Sequence, residues 1–202
     1  MAAPAPPPRS LLLASASPRR AELLRMLGLT FTTVPASIDE TPRRGEPPEE
    51  VARRLARDKA LAVARPSRPA LIVAADTLVV IAGEILGKPR DDDESRLFLG
   101  RLAGRTHEVI TAVALRACPE ESVGCEHAVS RVTMAPLTPA EIDWYARTGE
   151  GRDKAGAYAL QGIGALFVTS VEGSYTNVIG LPLDRLYPHL VRWGLLPPVS
   201  AR

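Results

Sequence analysis

One carboxylate stands within an otherwise apolar stretch of the chain. Residues 71–81 read LIVAADTLVVI, and only Asp76 and Thr77 among them are polar. Such a run is typical of a strand buried on both faces. An ionised carboxylate there needs a cation, a metal or a set of hydrogen bonds to stay charged. Asp76 is therefore the strongest pointer to an active site.

A second motif, SASPRR at residues 15–20, favours binding of an anion. The apolar residues 11–14 lead into Ser17, which we expect to be the N-cap of a helix with proline at its first position. The free N–H groups of a helix start attract anions, whereas Arg19 and Arg20 oppose the helix dipole there. A bound phosphate would remove this conflict, and a solvated basic helix start is the alternative. The sequence contains no GxxxxGK[ST] motif, which excludes a P-loop.

Two lysines are candidates to approach the same anion. Lys59 falls within the apolar stripe of a helix predicted over residues 48–64, so its side chain either reaches past the core edge or points into a cleft. Lys88 lies between a glycine and a proline in GKPRD, at a predicted turn. Taken alone it is a surface lysine, and it gains a role only if the turn folds back toward Asp76.

Two further segments have the chemistry of a ligand site. Asp39 and Glu40 follow a predicted strand, and one of them could join Asp76 around a divalent metal, which prefers oxygen ligands. A solvated loop is the alternative. Residues 153–162, DKAGAYALQG, combine glycine, charge, tyrosine and glutamine without helical periodicity, which fits a ligand-contacting loop and a structural loop equally.

The predicted elements alternate between strands and helices, which indicates an α/β fold with a mixed sheet. The pattern predicts helices over 18–27, 48–64, 91–102, 139–148 and 182–193. Asp91 is expected to cap the third of these, and Thr138 and Glu141 to form a capping box at the start of the fourth. It predicts strands over 11–14, 31–34, 71–81, 107–117, 128–134 and 165–171. The stretch 71–81 could be one long strand or a strand pair, and the strands from 107 and from 128 could form a hairpin.

Composition narrows the class of protein. The 202 residues are 46% hydrophobic and 24% charged, as expected for one globular domain. A formal charge of +2 and only 4% aromatic residues favour a local anion pocket over a nucleic-acid surface. Cys118 and Cys125 are expected to be free thiols near a hairpin loop, with a disulfide or metal role as the alternative. The three histidines are scattered and predict no zinc site.

The expected domain plan is a flexible proline-rich leader over 1–9, one catalytic domain over 10–197 and a tail over 198–202. No run approaches the roughly 20 apolar residues of a membrane span. The leader lacks the apolar core of a signal peptide. A cytoplasmic location is therefore expected.

Taken together, the motifs resemble the Maf family of nucleoside triphosphate pyrophosphatases. The matching segments follow the family's order: LASASPRR at 13–20, IDETP at 38–42, ARDKA at 56–60, AADT at 74–77, GKPRD at 87–91, DKAGAYALQG at 153–162 and GSYTNVIGLPL at 173–183. Each is weak alone, but the ordered set covers nearly the whole chain after the leader.

The resemblance implies roles for individual residues. Asp76 corresponds to the family's catalytic acid, assigned as proton acceptor, and with Glu40 it is the predicted metal site. The positions linked to substrate choice correspond to Arg19, Thr77 and Gln161. The predicted phosphate-binding residues are Ser15, Arg20, Lys59 and Lys88.

The resemblance also implies a fold and a reaction. The fold is α/β, an elongated mixed sheet flanked by helices with two lobes and a central cleft, like that of the inosine triphosphate pyrophosphatases. The reaction is hydrolysis of a nucleoside triphosphate to the monophosphate and pyrophosphate with Mg²⁺ or Mn²⁺. The substrate-choice residues are similar to those of the branch acting on dTTP and UTP. Modified pyrimidine nucleotides are further candidate substrates. Neither nucleic acid nor a membrane is an expected partner, and a homodimer is left open.

Three alternatives remain at this point. The chain could be a 7-methyl-GTP pyrophosphatase, a non-catalytic nucleotide-binding regulator of cell division, or a nucleic-acid binder. Release of pyrophosphate distinguishes an enzyme from a non-catalytic regulator. Nucleic-acid binding that falls steeply with salt would support the nucleic-acid binder.

Overall fold

The computed structural model describes residues 10–63, 69–118 and 123–198. Its strands are β1 (Ser10–Leu13), β2 (Thr32–Thr33), β3 (Ala70–Ile81), β4 (Glu84–Leu86), β5 (Thr106–Cys118), β6 (Val123–Met134) and β7 (Val168–Glu172). Its α-helices are α1 (Pro18–Met26), α2 (Pro48–Ala62), α3 (Asp92–Leu102), α4 (Pro139–Thr148), α5 (Tyr175–Ile179) and α6 (Leu183–Arg192). The predicted leader and all but the first residue of the predicted tail lie outside the described residues.

The strands form one mixed sheet in the order β2-β1-β3-β5-β6-β7, and β4 adds to β3. β1 runs parallel to both β2 and β3, whereas the remaining pairs are antiparallel. Residues 71–81 thus belong to one long central strand, and β5 and β6 form the predicted hairpin. The α/β class with a mixed sheet flanked by helices is confirmed.

Helices cover both faces of the sheet because β3 and β5 are apolar on both sides. On one face α2 packs its apolar side, including Val51 and Leu55, against Ile72 and Ala74 of β3. On the other face α1 and α6 pack against alternate residues of the same strand, Leu71 and Val73. A third cluster joins the far end of β3 to α3 and α4.

Local capping signals are confirmed at two helices, and Ser17 occupies the predicted N-cap position of a third, directly before Pro18. The Asp91 side chain accepts a hydrogen bond from the backbone of Glu94, and Thr138 forms the predicted capping box with Glu141. Ser17 makes no side-chain cap. The Ser15 hydroxyl accepts a hydrogen bond of 3.1 Å from the Ser17 N–H, which precedes the helix and is not one of the N–H groups that a cap satisfies.

Two boundaries differ from the sequence predictions. The first part of the predicted strand 165–171 is a 3-10 helix, Ile163–Phe167, and β7 begins only at Val168. β6 begins at Val123, so Cys125 lies within a strand and not in a loop. Both cysteines are free.

In the part of the chain that the structure describes, no helix combines the length and apolarity needed to cross a bilayer.

Candidate active site

Asp76 lies where one edge of β3 has no neighbouring strand. β1 pairs with β3 as far as Val73, and β4 pairs with it from Val79. Over the described residues no strand covers that edge between the two pairings. Successive side chains of a strand point to opposite faces, so Asp76 faces the layer of α2 and Thr77 the layer of α1. The break in the sheet lets both line one cavity.

The cavity has a volume of about 580 Å³, which is within the range typical of small-molecule sites. All nine of the predicted site residues line it. Basic side chains outnumber acidic ones, five to three: Arg19, Arg20, Lys59, Lys88 and Lys154 against Glu40, Asp76 and Asp153. The excess of positive charge favours an anionic ligand.

Lys59 bridges the two predicted metal-binding carboxylates. Its Nζ lies 2.6 Å from Oδ1 of Asp76 and 2.7 Å from Oε1 of Glu40. The lysine and Asp76 are 8% and 6% exposed, so each compensates the charge of the other in a largely dry place. Of the two directions open to Lys59, the structure selects the cleft. Oδ2 of Asp76 makes no hydrogen bond to any described residue.

Glu40 lies at the mouth of the cavity between two lysines. Burial acts to raise its pKa, but the hydrogen bond from Lys59 and the charges of Lys59, Lys88 and Arg20 outweigh burial, so the pKa lies below its ordinary value. Nζ of Lys88 is 4.0 Å from Oε2 of Glu40, and its side chain is 63% exposed. The GKPRD turn therefore does fold back toward Asp76, and Lys88 remains free to reach a ligand.

Arg20 holds the two faces of the site together. Its guanidinium donates to the carbonyl of Gly180 (2.7 Å), to Oγ of Ser15 (3.1 Å) and to Oγ1 of Thr77 (3.0 Å). Gly180 has φ +119°, and a Cβ there would lie 3.3 Å from Thr77 Oγ1, so the close approach favours glycine. These bonds use three of the five N–H groups of arginine, which leaves two for a ligand. Burial lowers the pKa of Arg20, and the charge of Asp76 partly restores it.

Arg19 differs from Arg20 in having a free polar atom. Its Nε is buried and has no hydrogen-bond partner among the described residues. A buried donor without a partner is costly, and an anionic ligand in the cavity would supply one. Arg19 also acts on the loop opposite: burial tends to raise the pKa of Asp153, but Lys154 and then Arg19 bring it below its ordinary value.

The glycine-rich segment that carries Gln161 is braced from within by Glu150. The Glu150 carboxylate accepts hydrogen bonds from the backbone N–H groups of Ile163 and Gly164, both at 2.8 Å, and from the Tyr145 hydroxyl at 2.7 Å. Burial acts to raise the pKa of Glu150, but these hydrogen bonds and the charge of Lys154 lower it below its ordinary value. Gln161 itself is exposed at the cavity wall, free to contact a ligand.

Three buried or braced residues were not among the sequence candidates. Thr111 is fully buried against Thr77, Asn177 is fully buried against Thr111, and Glu150 lies against Gly162 at the end of the 153–162 segment. Thr111 interrupts an apolar strand just as Asp76 does, so the same signal could have identified it. Nothing local distinguishes Glu150, because the backbone N–H groups that it accepts from lie 13 and 14 residues away.

Comparison with known proteins identifies the family to which this chain belongs. The family model for Maf-like proteins matches residues 10–193. A dTTP/UTP pyrophosphatase of Myxococcus xanthus is 51% identical over 191 residues, covering 95% of this chain and 96% of that protein. Proteins of the same name from Syntrophomonas wolfei and Anaeromyxobacter sp. are 49% and 52% identical, covering 90% and 91% of this chain and 96% and 89% of their own. This chain belongs to the Maf-like family.

Proposed function

We propose that this protein hydrolyses dTTP and UTP to the nucleoside monophosphate and pyrophosphate. The observation that carries the proposal is the position of Asp76, a nearly buried carboxylate at the wall of a cavity in which basic side chains predominate. The name of the curated relatives, which are about half identical over most of their length, supports the choice of nucleotide.

In this proposal Asp76 accepts the proton of the water that attacks the α-phosphorus. Lys59 holds Oδ1 and so fixes the orientation of the carboxylate. Oδ2, which has no partner among the described residues, is left to take the proton. This arrangement favours Oδ2 over Oδ1 as the base.

The basic side chains neutralise and position the triphosphate, which is the main contribution that a protein makes to phosphoryl transfer. Arg19 offers its unpartnered Nε, Lys88 an exposed ammonium, and Arg20 its two remaining N–H groups. Ser15 acts indirectly, since its hydroxyl holds both Arg20 and the start of α1. Gln161 and Thr77 are assigned to the base.

Asp76 and Glu40 fit a divalent cation, because both already approach a single positive charge, that of Lys59. No group of three or more acidic, histidine or cysteine side chains suited to a metal occurs in the described ranges. Phosphate oxygens and water would therefore complete the coordination, as Mg²⁺ favours. When bound, such a cation would offset the negative charge of the phosphates.

A panel of nucleoside triphosphates tests the proposal. Purified protein is incubated with dTTP, UTP, CTP, GTP and 7-methyl-GTP, with Mg²⁺, with Mn²⁺ and with neither, and pyrophosphate is measured. Release from dTTP and UTP is expected. Preference for 7-methyl-GTP would identify the protein as a 7-methyl-GTP pyrophosphatase. Binding of a nucleotide without release of pyrophosphate would indicate a non-catalytic regulator.

Asp76→Asn tests the assignment of the base. We expect turnover to fall about 10²–10⁴-fold or more while nucleotide binding is largely retained. Asp58→Asn is the matched control, since it removes the same charge from the neighbour of Lys59 on α2 and does not line the cavity. Hydrolysis of dTTP by Asp76→Asn at nearly the wild-type rate would refute the assignment.

A further inference from the structure

A chain of hydrogen bonds runs from a buried asparagine to the wall of the cavity. Asn177 is fully buried on α5, and its Oδ1 accepts the backbone N–H of Thr111 at 3.0 Å. Its Nδ2 donates to the Val109 carbonyl and to Oγ of Ser130, both at 2.9 Å. An N–H can only donate and a carbonyl can only accept. The orientation of the Asn177 amide is therefore fixed by its partners.

The same logic fixes the proton of Thr111, which is fully buried on β5. Its hydroxyl lies 2.8 Å from the backbone carbonyl of Asn177 and donates its only proton there. Toward the other side, its oxygen is 3.0 Å from the hydroxyl of Thr77, the residue opposite it on β3. Because Thr111 has no second proton, it must accept the proton of Thr77.

Thr77 is thereby restricted to one remaining function. Its proton goes to Thr111, and one of its two lone pairs accepts from Nη2 of Arg20 at 3.0 Å. A hydroxyl has one proton and two lone pairs, so a single lone pair is left for the cavity that Thr77 lines. Thr77 can accept a hydrogen bond from a ligand, but it cannot donate one to a phosphate oxygen.

We propose that Thr111 and Asn177 are positioning residues that hold Thr77 as an acceptor for the ring N–H of uracil or thymine. This inference rests on the proposed function. Uracil and thymine carry a proton on N3, whereas cytosine has a lone pair there. Cytosine would place that lone pair against the lone pair of Thr77. Guanine carries a comparable N1–H, so other contacts must reject purines.

The prediction is measured as the ratio of kcat/KM for UTP to that for CTP, which share the same sugar and phosphates. The wild-type ratio is expected to be at least about a hundredfold, because a buried site matched to a substrate N–H discriminates strongly against an analogue that lacks it. Thr111→Val keeps the shape of the side chain and removes the hydroxyl. Thr77 can then turn its proton toward cytosine, so the ratio should fall at least about tenfold.

Thr111→Ser is the matched control, since it retains the hydroxyl and should retain the wild-type ratio. If Thr111→Val does not fold, Thr77→Val replaces it, and its ratio should likewise fall at least about tenfold. If Thr111 served only to pack the core, Thr111→Val would lower kcat/KM for UTP and for CTP by the same factor.

The outcomes separate this inference from the proposed function. A wild-type protein that releases no pyrophosphate from UTP would overturn both. A wild type that prefers UTP, together with a folded valine variant whose ratio is unchanged, would overturn the inference alone.

Discussion

The buried histidine of β5 should make the fold sensitive to acid. His107 is 2% exposed. Its Nε2 lies 2.8 Å from the Tyr158 hydroxyl, and its Nδ1 is buried without a partner among the described residues. Burial lowers the pKa of His107 from 6.5 to about 4. The imidazole is therefore neutral in the folded protein at neutral pH.

The size of the effect follows from proton linkage. Between the unfolded value of 6.5 and the folded value of about 4, the unfolded chain binds more protons than the folded one. The free energy of unfolding is thus unaffected by this group above the window and decreases as pH falls through it. One unit of pKa corresponds to about 1.4 kcal/mol, so the total loss is about 3 kcal/mol, a large share of a typical stability of about 5–15 kcal/mol.

Urea unfolding at a series of pH values from about 7.5 to about 4.5 measures this loss. His107→Gln cannot titrate but can still bond to Tyr158. The carboxylates that titrate in the same range are common to both proteins, so subtracting the two curves isolates the histidine. The free energy of the wild type should fall more steeply than that of the variant.

Tyr158→Phe is the control that separates burial from hydrogen bonding. Because burial is the cause of the lowered pKa of His107, this variant should keep the steep pH dependence of the wild type. Identical pH dependence in the wild type and His107→Gln would refute the reasoning.

Two further changes are predicted from the backbone. Ala82 has φ 51° in the turn between β3 and β4, beside Gly83 at φ 80°. Ala82→Asn should raise the free energy of unfolding by roughly 0.5–1 kcal/mol, measured by urea denaturation, because asparagine tolerates this conformation better than alanine; an unchanged or lower value would contradict this. Ile163 and Gly164 donate to different oxygens of the Glu150 carboxylate, so Glu150→Gln places its amide NH₂ against one of these two N–H groups and should cost about 2 kcal/mol. It should also weaken nucleotide binding by loosening the segment of Gln161, and a stable variant with unchanged KM would exclude a bracing role.

Sequence patterns located the elements and the candidate residues because those signals are local. The apolar run around Asp76 predicted a strand buried on both faces, and β3 is one. Asp91 and Thr138 cap their helices as predicted, since a cap depends on residues three positions away. Ser17 also occupies its predicted N-cap position, but its side chain makes no capping hydrogen bond.

The motifs placed nine residues in one predicted site, but their partners could not be inferred from spacing. Lys59 was open to two directions, and only the packing of α2 against β3 turns it toward Asp76. Likewise, Arg20 and Gly180 are 160 residues apart and share a hydrogen bond. Such contacts depend on how separate elements pack, which no local pattern records.

The sequence alone determined that a carboxylate lies within an apolar strand, where burying its charge is energetically unfavourable. It also determined that several basic motifs accompany this carboxylate and that strands alternate with helices. Only the folded arrangement decided that β1 stops pairing at Val73 and β4 resumes at Val79, which opens both faces of β3 to one cavity. It also decided the direction of the Thr77 proton through Thr111 and Asn177. The physical reason is that residue type fixes what a group can donate or accept, whereas tertiary packing fixes which partner it meets.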